Sequence, residues 1–328
     1  MKLFRFSVTQ WFLFLLASLA LAVGVSLMTG AMGFGVPKGP NGWVVLTQIR
    51  GPRVFLAVLT GAVLAVSGAV MQGLFRNPLA DPGLVGVSSG AALGAALVIV
   101  CLGNTLSMWS VPIGGMIGGL LTTLLLYCFA TRRGITSTGM IILSGVALSA
   151  FAGAITGILV FRANDTALRD LTFWTMGSLA GSDWMRVVIL LPFFVVSFLL
   201  FISINRSLNA ILLGDIDAAL MGFRVERTKK IAILGVALAI GPLVSFVGVI
   251  GFIGVVVPHL VRLITGPDHR LVLPGSALLG AILLLIADTL ARVIAIPADV
   301  PVGVVTAAIG APMFAWLLLK TRDLGEVG

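Results

Sequence analysis

Charge is what this chain has least of. Only 10% of its 328 residues are Asp, Glu, Lys or Arg, where a soluble globular domain carries about 25%. Such a chain cannot cover its own core with a surface that water tolerates, so lipid must be part of its solvent. The 59% hydrophobic content and the mean hydropathy of +1.15 say the same. There are two cysteines, Cys101 and Cys128, each in or beside an apolar run. They can pair, but their setting favours buried free thiols in lipid, and they say little about redox compartment. The sequence has no H-E-x-x-H, no paired cysteines and no glycine-led Walker lysine. Zinc-protease chemistry and ATP hydrolysis by a P-loop within this chain are therefore not expected. No catalytic residue, metal ligand or bound cofactor is assigned to it.

Acid is scarcer than base, 12 against 21, leaving a net charge of +9. That balance could suggest nucleic acid. The basic residues are instead scattered between apolar runs, with no stripe and no interleaved aromatics, so nucleic acid is excluded as a partner. In a membrane protein, such an excess marks cytoplasmic loops.

What the chain does have is apolar runs long enough to span a bilayer. Ten can be placed, near 11–30, 53–73, 84–101, 110–130, 139–161, 186–204, 229–248, 249–264, 271–293 and 303–320. The seventh and eighth almost fuse, with a break between Gly248 and Gly254. The N-terminal apolar stretch from Trp11 to Met28 partly resembles a signal peptide. It is long and lacks a small-x-small cleavage site, so it reads as a retained first helix. The expected organisation is one transmembrane domain over 1–328, with a cytoplasmic segment at 205–228.

With the N-terminus inside, the inner side holds Lys2, Arg5, Arg76, Arg132, Arg133, Arg206, Arg224, Arg227, Lys229, Lys230, Arg262, Arg270, Lys320 and Arg322. The outer side holds Lys38, Arg50, Arg53, Arg162, Arg169, Arg186 and Arg292. Fourteen against seven puts both termini in the cytoplasm. Spans two to five start outside and spans seven to ten start inside, which is the arrangement an inverted repeat needs. Among the 40 glycines, Gly86/Gly90/Gly94, Gly114/Gly118 and Gly115/Gly119 have the small-xxx-small spacing of closely packed membrane helices.

Three features carry possible chemistry. Gly86-Val87-Ser88-Ser89-Gly90 matches the hydrolase pattern G-x-S-x-G, and His259 or His269 could serve such a serine. That chemistry needs a strand-turn-helix context, whereas this motif opens a glycine-rich membrane helix. The segment 205–230, NRSLNAILLGDIDAALMGFRVERTKK, places Asp215 and Asp217 at the start of a short helix and Gly222 just past its end. It reads either as a solvated loop or as a rigid lever on which another protein pushes. Arg50, Arg53 and Arg292 lie at outer helix ends, against the charge trend. They either snorkel or form docking points for carboxylates.

Six stretches together resemble one family. They are VMQGLFRNPLADPGLVGVSSGAALG (70–94), LRDLTFWTMGSLAGSDW (168–184), LLGDIDAALMGF (212–223), GVIGFIGVVVPHLVRLITGPDHRLVLPGSALLGA (248–281), LIADTLAR (285–292) and PVGVVTAAIGAPMFAWLL (301–318). The chain resembles the permeases that serve binding-protein-dependent uptake of ferric siderophores, haem and cobalamin. The resemblance implies an all-α polytopic homodimer in the bacterial inner membrane with ten helices per subunit. It also implies two copies of a cytoplasmic ATP-binding-cassette ATPase, which carry the ATP and Mg, and a periplasmic binding protein. It makes Leu213, Gly214, Asp215, Asp217, Ala218, Ala219 and Gly222 the ATPase-coupling residues. Arg50, Arg53 and Arg292 become docking points for glutamates of the binding protein. Ser137, Thr138 and Gly139 become a cytoplasmic gate, with Gly139 standing where the family often has a polar residue.

The runs at 168–184 and 76–90 are most similar to haem permeases, so haem is the expected cargo, with ferric siderophore and cobalamin as alternatives. His259 and His269 are expected to be structural. Two rivals come from other classes. A secondary transporter would use an intramembrane acid, and only Asp288 lies well inside a span, with Arg292 one turn on. An intramembrane hydrolase would use Ser88.

Overall fold

The computed structural model describes residues 7–30, 33–36, 39–103 and 107–325, with side chains described through 316 and at 319. Lys2, Arg5 and Lys38 of the charge count lie outside the described residues, as do the side chains of Lys320 and Arg322.

The membrane-crossing helices are α1 (Val8–Met28), α2 (Gly42–Phe75), α3 (Val87–Leu102), α4 (Ser110–Ala130) and α5 (Thr138–Arg162), then, after the short α6 (Asp165–Thr175), α7 (Trp184–Ser203). Two further short helices, α8 (Asn205–Ile211) and α9 (Asp215–Leu220), lead to α10 (Val225–Val247), α11 (Ile253–Thr265), α12 (His269–Ile294) and α13 (Val302–Gly325). Among the described residues, seven helices are long and apolar enough to cross a membrane, and α3, α11 and the Val302–Trp316 part of α13 are shorter apolar stretches. Those ten correspond one to one with the ten expected spans.

Local chemistry sets their ends. Ser7 forms a capping box with Gln10, satisfying donors that the first turn of α1 leaves open. Ser137, Asn164, Asp183 and Asp268 cap α5, α6, α7 and α12. The break between the seventh and eighth spans falls at 248–252, where Gly248 takes φ +74.

The second span begins eleven residues earlier than expected, at Gly42 rather than Arg53, and passes through a wider-pitch stretch over Val45–Arg50. Two small hairpins were also not expected. Strands β1 (Thr29–Gly30) and β2 (Gly33–Phe34) follow α1, and β3 (Thr131–Arg132) and β4 (Ile135–Thr136) join α4 to α5.

Packing follows the exchange that an inverted repeat requires. In one half α2 lies against α12 and α11 of the other; reciprocally, α10 lies against α4 and α3. The glycines supply the contacts. A Cβ on Gly90 would come within 2.6 Å of the Gly118 carbonyl oxygen, and Gly94 faces Gly114 just as closely. The small-xxx-small reading is therefore right: α3 and α4 meet backbone to backbone. Gly61 meets Gly280, and Gly68 meets Gly254, in the same way.

In α2 and α10, 78% of the most apolar stretch is buried, against 17% in α1 and 22% in α5. The first two are the core, while α1 and α5 turn large side chains such as Phe14, Phe151 and Phe161 outward. Cys101 and Cys128 are free and exposed on that outer surface rather than buried.

Candidate functional site: the two ends of the bundle

The loops sort to two ends. At one, Arg53 meets Asp299, Trp184 donates from Nε1 to the Thr47 carbonyl, and Gly303 donates to the Gly177 carbonyl. At the other, Asn209 meets Asp268 and Thr136 meets Glu226. The first is the expected outer end and the second the expected inner end.

At the outer end the three arginines fold inward. Arg50, Arg53 and Arg292 are only 6%, 9% and 5% exposed. Arg50 donates to the carbonyls of Leu27 (2.7 Å) and Gly35 (3.2 Å), pinning the hairpin after α1. Arg53 reaches Asp288 through Nε (3.0 Å) and Nη2 (2.9 Å), and Asp299 through Nη1 (2.8 Å). Arg292 bonds Asp288 (3.1 Å), the carbonyls of Ser26 and Thr29, and the Ser26 hydroxyl. Each guanidinium already has acceptors within its own chain. Burying a guanidinium is costly unless its donors are met, and Arg53 and Arg292 have acceptors at Nε and at both terminal nitrogens. Three arginines against Asp288 and Asp299 still leave one net positive charge.

Asp288 itself is fully buried between two guanidiniums. Both of its carboxylate oxygens are taken up by donors of Arg53 and Arg292. It serves as a brace, which removes the feature an ion-coupled transporter would need.

At the inner end, Gly214 (φ +132) and Gly222 (φ +86) bracket α9, in the conformations that glycine adopts most readily. Asp215 and Asp217 stand in its first turn, as expected. Six residues are too few to hold a helix unaided. Ala218 anchors it, fully buried in a small cluster with Ile211, Val225 and Phe223. Its other face is bare and greasy: Leu213, Ile216, Leu220 and Met221 are 65%, 78%, 81% and 52% exposed. Ala219 and Asp217 are exposed beside them.

Below α9 sits Lys229, 3% exposed. Its ammonium bonds Asp215 Oδ2 (2.8 Å), the Thr136 carbonyl (2.8 Å) and Glu226 Oε1 (3.3 Å). Glu226 Oε2 accepts from the Thr136 amide (2.7 Å). The next residue, Ser137, caps α5, and Thr138 opens it, followed by Gly139; Ser137 and Gly139 are exposed and Thr138 half-buried. A second tie lies beside it. Asn209 of α8 donates to Asp268 (2.7 Å) and accepts from the His269 amide (2.8 Å), with its Oδ1 2.7 Å from His269 Nδ1. Bonds from Arg270 hold the Asp268 carboxyl below its ordinary value of 3.8, whereas burial pushes Asp81 above it.

The FecCD transport family matches residues 8–320. The chain belongs to that family. It is 45% identical to the hemin transport system permease protein HmuU of Yersinia pestis over 86% of this chain and 85% of that one. It is 44% identical to the cobalamin import system permease protein BtuC of Halobacterium salinarum, over 87% and 75%. To the vitamin B12 import system permease protein BtuC of Escherichia coli it is 40% identical, over 95% and 96%. A solved structure described as an inward-facing conformation of a metal-chelate type ABC transporter superposes with a TM-score of 0.87. It has 32% sequence identity and covers 94% of this chain and 98% of that one.

In this FecCD permease the G-x-S-x-G stretch opens α3 from a left-handed Gly86, with Ser89 bonded to the Ser149 hydroxyl (3.0 Å) and Gly90 pressed on Gly118. A short 3-10 turn over Pro82–Val85, not a strand, leads directly into it, so the elbow geometry is missing. His269 is fully buried and held by Asn209. Sequence reasoning did not single out Lys229, Glu226, Thr136 or Asn209; Ile216, Leu220 and Met221 fall within its 212–223 stretch but were not named individually. A signal for Lys229 was present. In helical spacing it falls on the same stripe as Val225, Ala232 and Val236, all buried.

Proposed function

We propose that this permease moves haem, or a related iron complex, from periplasm to cytoplasm across the bacterial inner membrane. It works as a homodimer with two copies of a separate ATPase and a periplasmic binding protein, and both termini are cytoplasmic. The observation that carries this reading is the bare apolar face of α9. The segments at that end carry Arg132 and Arg133 in the hairpin before α5 and Arg224 and Lys230 at the start of α10, a density of positive charge that suits the cytoplasm. Four large apolar side chains do not stand in water there without a use; they suit a groove on a protein partner. A bound ATPase would move α9 by closing on its nucleotide. The 213–222 segment is then the lever, and Ser137, Thr138 and Gly139 are the gate it works on.

At the other end, the single net positive charge of the Arg50, Arg53 and Arg292 lattice supports docking of carboxylates from the binding protein. The cargo reading is supported by the haem-like runs at 168–184 and 76–90 and by the kinship to the hemin permease. The cobalamin permeases are nearly as similar, so experiment must choose between the two.

The test is ATPase stimulation in liposomes holding the chain and its cognate ATPase, with binding protein loaded with haem, a ferric siderophore or cobalamin. Stimulation and uptake with haem alone is the expected result. Stimulation by another ligand alone moves the cargo to that ligand and keeps the importer. No stimulation by any, in an assembled complex, removes the importer reading.

A further inference from the structure

Lys229 joins three parts of the chain that the sequence keeps apart. An ammonium has three protons to donate, and here each has a separate acceptor: Asp215 on α9, the Thr136 carbonyl on β4 and Glu226 on α10 itself. At 3% exposure this lysine has almost no water to fall back on, so losing any one acceptor leaves a buried donor unmet. Thr136 is gripped twice, through its carbonyl by Lys229 and through its amide by Glu226. Its hydroxyl is 3.0 Å from that of Thr131, so the hairpin moves as a piece. The residue after Thr136 is the cap of α5.

A displacement of α9 therefore has two outcomes. Either Asp215 parts from Lys229, or Lys229 follows it and takes the hairpin and the first turn of α5 along. The second costs less, because the first strands a buried ammonium beside a carboxylate whose Oδ1 already lacks a partner among the described residues. We propose that Lys229, with Glu226, is a positioning residue that transmits movement of α9 to the start of α5. The proposal rests on the importer reading, and it names the physical link within it.

The test uses the complete complex of permease, ATPase and binding protein in liposomes. Cys101 and Cys128 are both exposed, so they are first replaced by serine. A reporter thiol is then placed by Met140→Cys, in the first turn of α5, where Met140 is 42% exposed. Its labelling by a water-soluble maleimide is timed with and without trapped nucleotide, alongside ligand transported per ATP hydrolysed.

In the parent the labelling rate is expected to respond to nucleotide. Lys229→Met is expected to abolish that response and to cut transport per ATP about tenfold, while the ATPase still turns over. Lys229→Arg, which keeps the charge and donors, restores both. Should Lys229→Met fail to assemble, Glu226→Ala, which releases the Thr136 amide, is expected to give the same uncoupling. A Lys229→Met or Glu226→Ala complex that keeps the nucleotide response and the parent's transport per ATP overturns the link. So does a parent whose labelling ignores nucleotide while transport proceeds. Absence of stimulated hydrolysis in the parent is a different failure and removes the importer reading instead.

Discussion

The two ends of this bundle handle scarce charge in opposite ways. At the outer end, Arg50, Arg53 and Arg292 are sunk among Asp288, Asp299 and the carbonyls near the end of α1, and each guanidinium has acceptors within the chain. At the inner end one buried lysine is shared among three segments, and the helix above it shows Ile216 and Leu220 to solvent. One end is closed upon itself; the other is left open for something else to complete. Rigidity in a transporter of this kind is thus distributed. At the outer end several guanidiniums share two acids, whereas at the inner end one ammonium is the common partner of three segments.

The largest expected effect is at the closed end. Asp288→Leu strips the shared acid from two buried guanidiniums and should cost about 3–5 kcal/mol, read as loss of thermal stability in detergent. A loss under about 1 kcal/mol, the scale of an exposed pair, would mean the lattice is no brace. Next comes the open end. The pair Ile216→Asp and Leu220→Asp should leave stability untouched and weaken ATPase association by about 2 kcal/mol or more, measured by pull-down titration. Unchanged association would dissolve the contrast, since the studs would then be idle.

A smaller effect sharpens the outer end. Asp299, at 37% side-chain exposure, takes part of Arg53. Asp299→Asn should free that charge and tighten docking of the binding protein by under about 1 kcal/mol, more at low salt than high. Weaker docking would argue that the arginines act only within the chain. The mildest effect concerns acid. Asp268, with its carboxyl held low by Arg270, gives stability that is present above the ordinary value of 3.8 and lost as pH falls below it. Asp81 runs the other way: burial raises its carboxyl, so its penalty is relieved as pH falls towards that value. In unfolding measured against pH, Asp268→Asn should flatten the decline below about pH 4. An identical slope would assign that decline to other groups.

Much of this was legible beforehand, for physical reasons. Apolar runs have to be long in lipid, and Gly248 and Gly222 mark stops because few residues take their backbone angles. The α9 helix was visible from Asp215, Asp217 and Gly222. By contrast α6 lies between the expected fifth and sixth spans, where no helix was assigned: Ala167, Leu171 and Trp174 share one face, but eleven residues carrying Asp165, Arg169 and Asp170 are too short and too charged to register as a span. The inward fold of the arginines was hidden by distance along the chain: Arg53 and Asp288 are 235 positions apart, and only the Asp288–Arg292 half, one helical turn, lies within reach of pattern reading. Lys229 was lost in the run of Arg224, Arg227 and Lys230, a basic cluster in which charge conceals which member turns inward.

The separation of Arg53 from Asp288 also bears on how the protein is made. Synthesis delivers the second span, which carries Arg53 eleven residues past its start at Gly42, well before the ninth. Through that interval the guanidinium has no acid to meet, and an unpaired cation is held at the bilayer surface rather than in its depth. The pairing of Arg53 with Asp288 can close only once α12 is in place, so a late step of assembly joins the second span to the ninth.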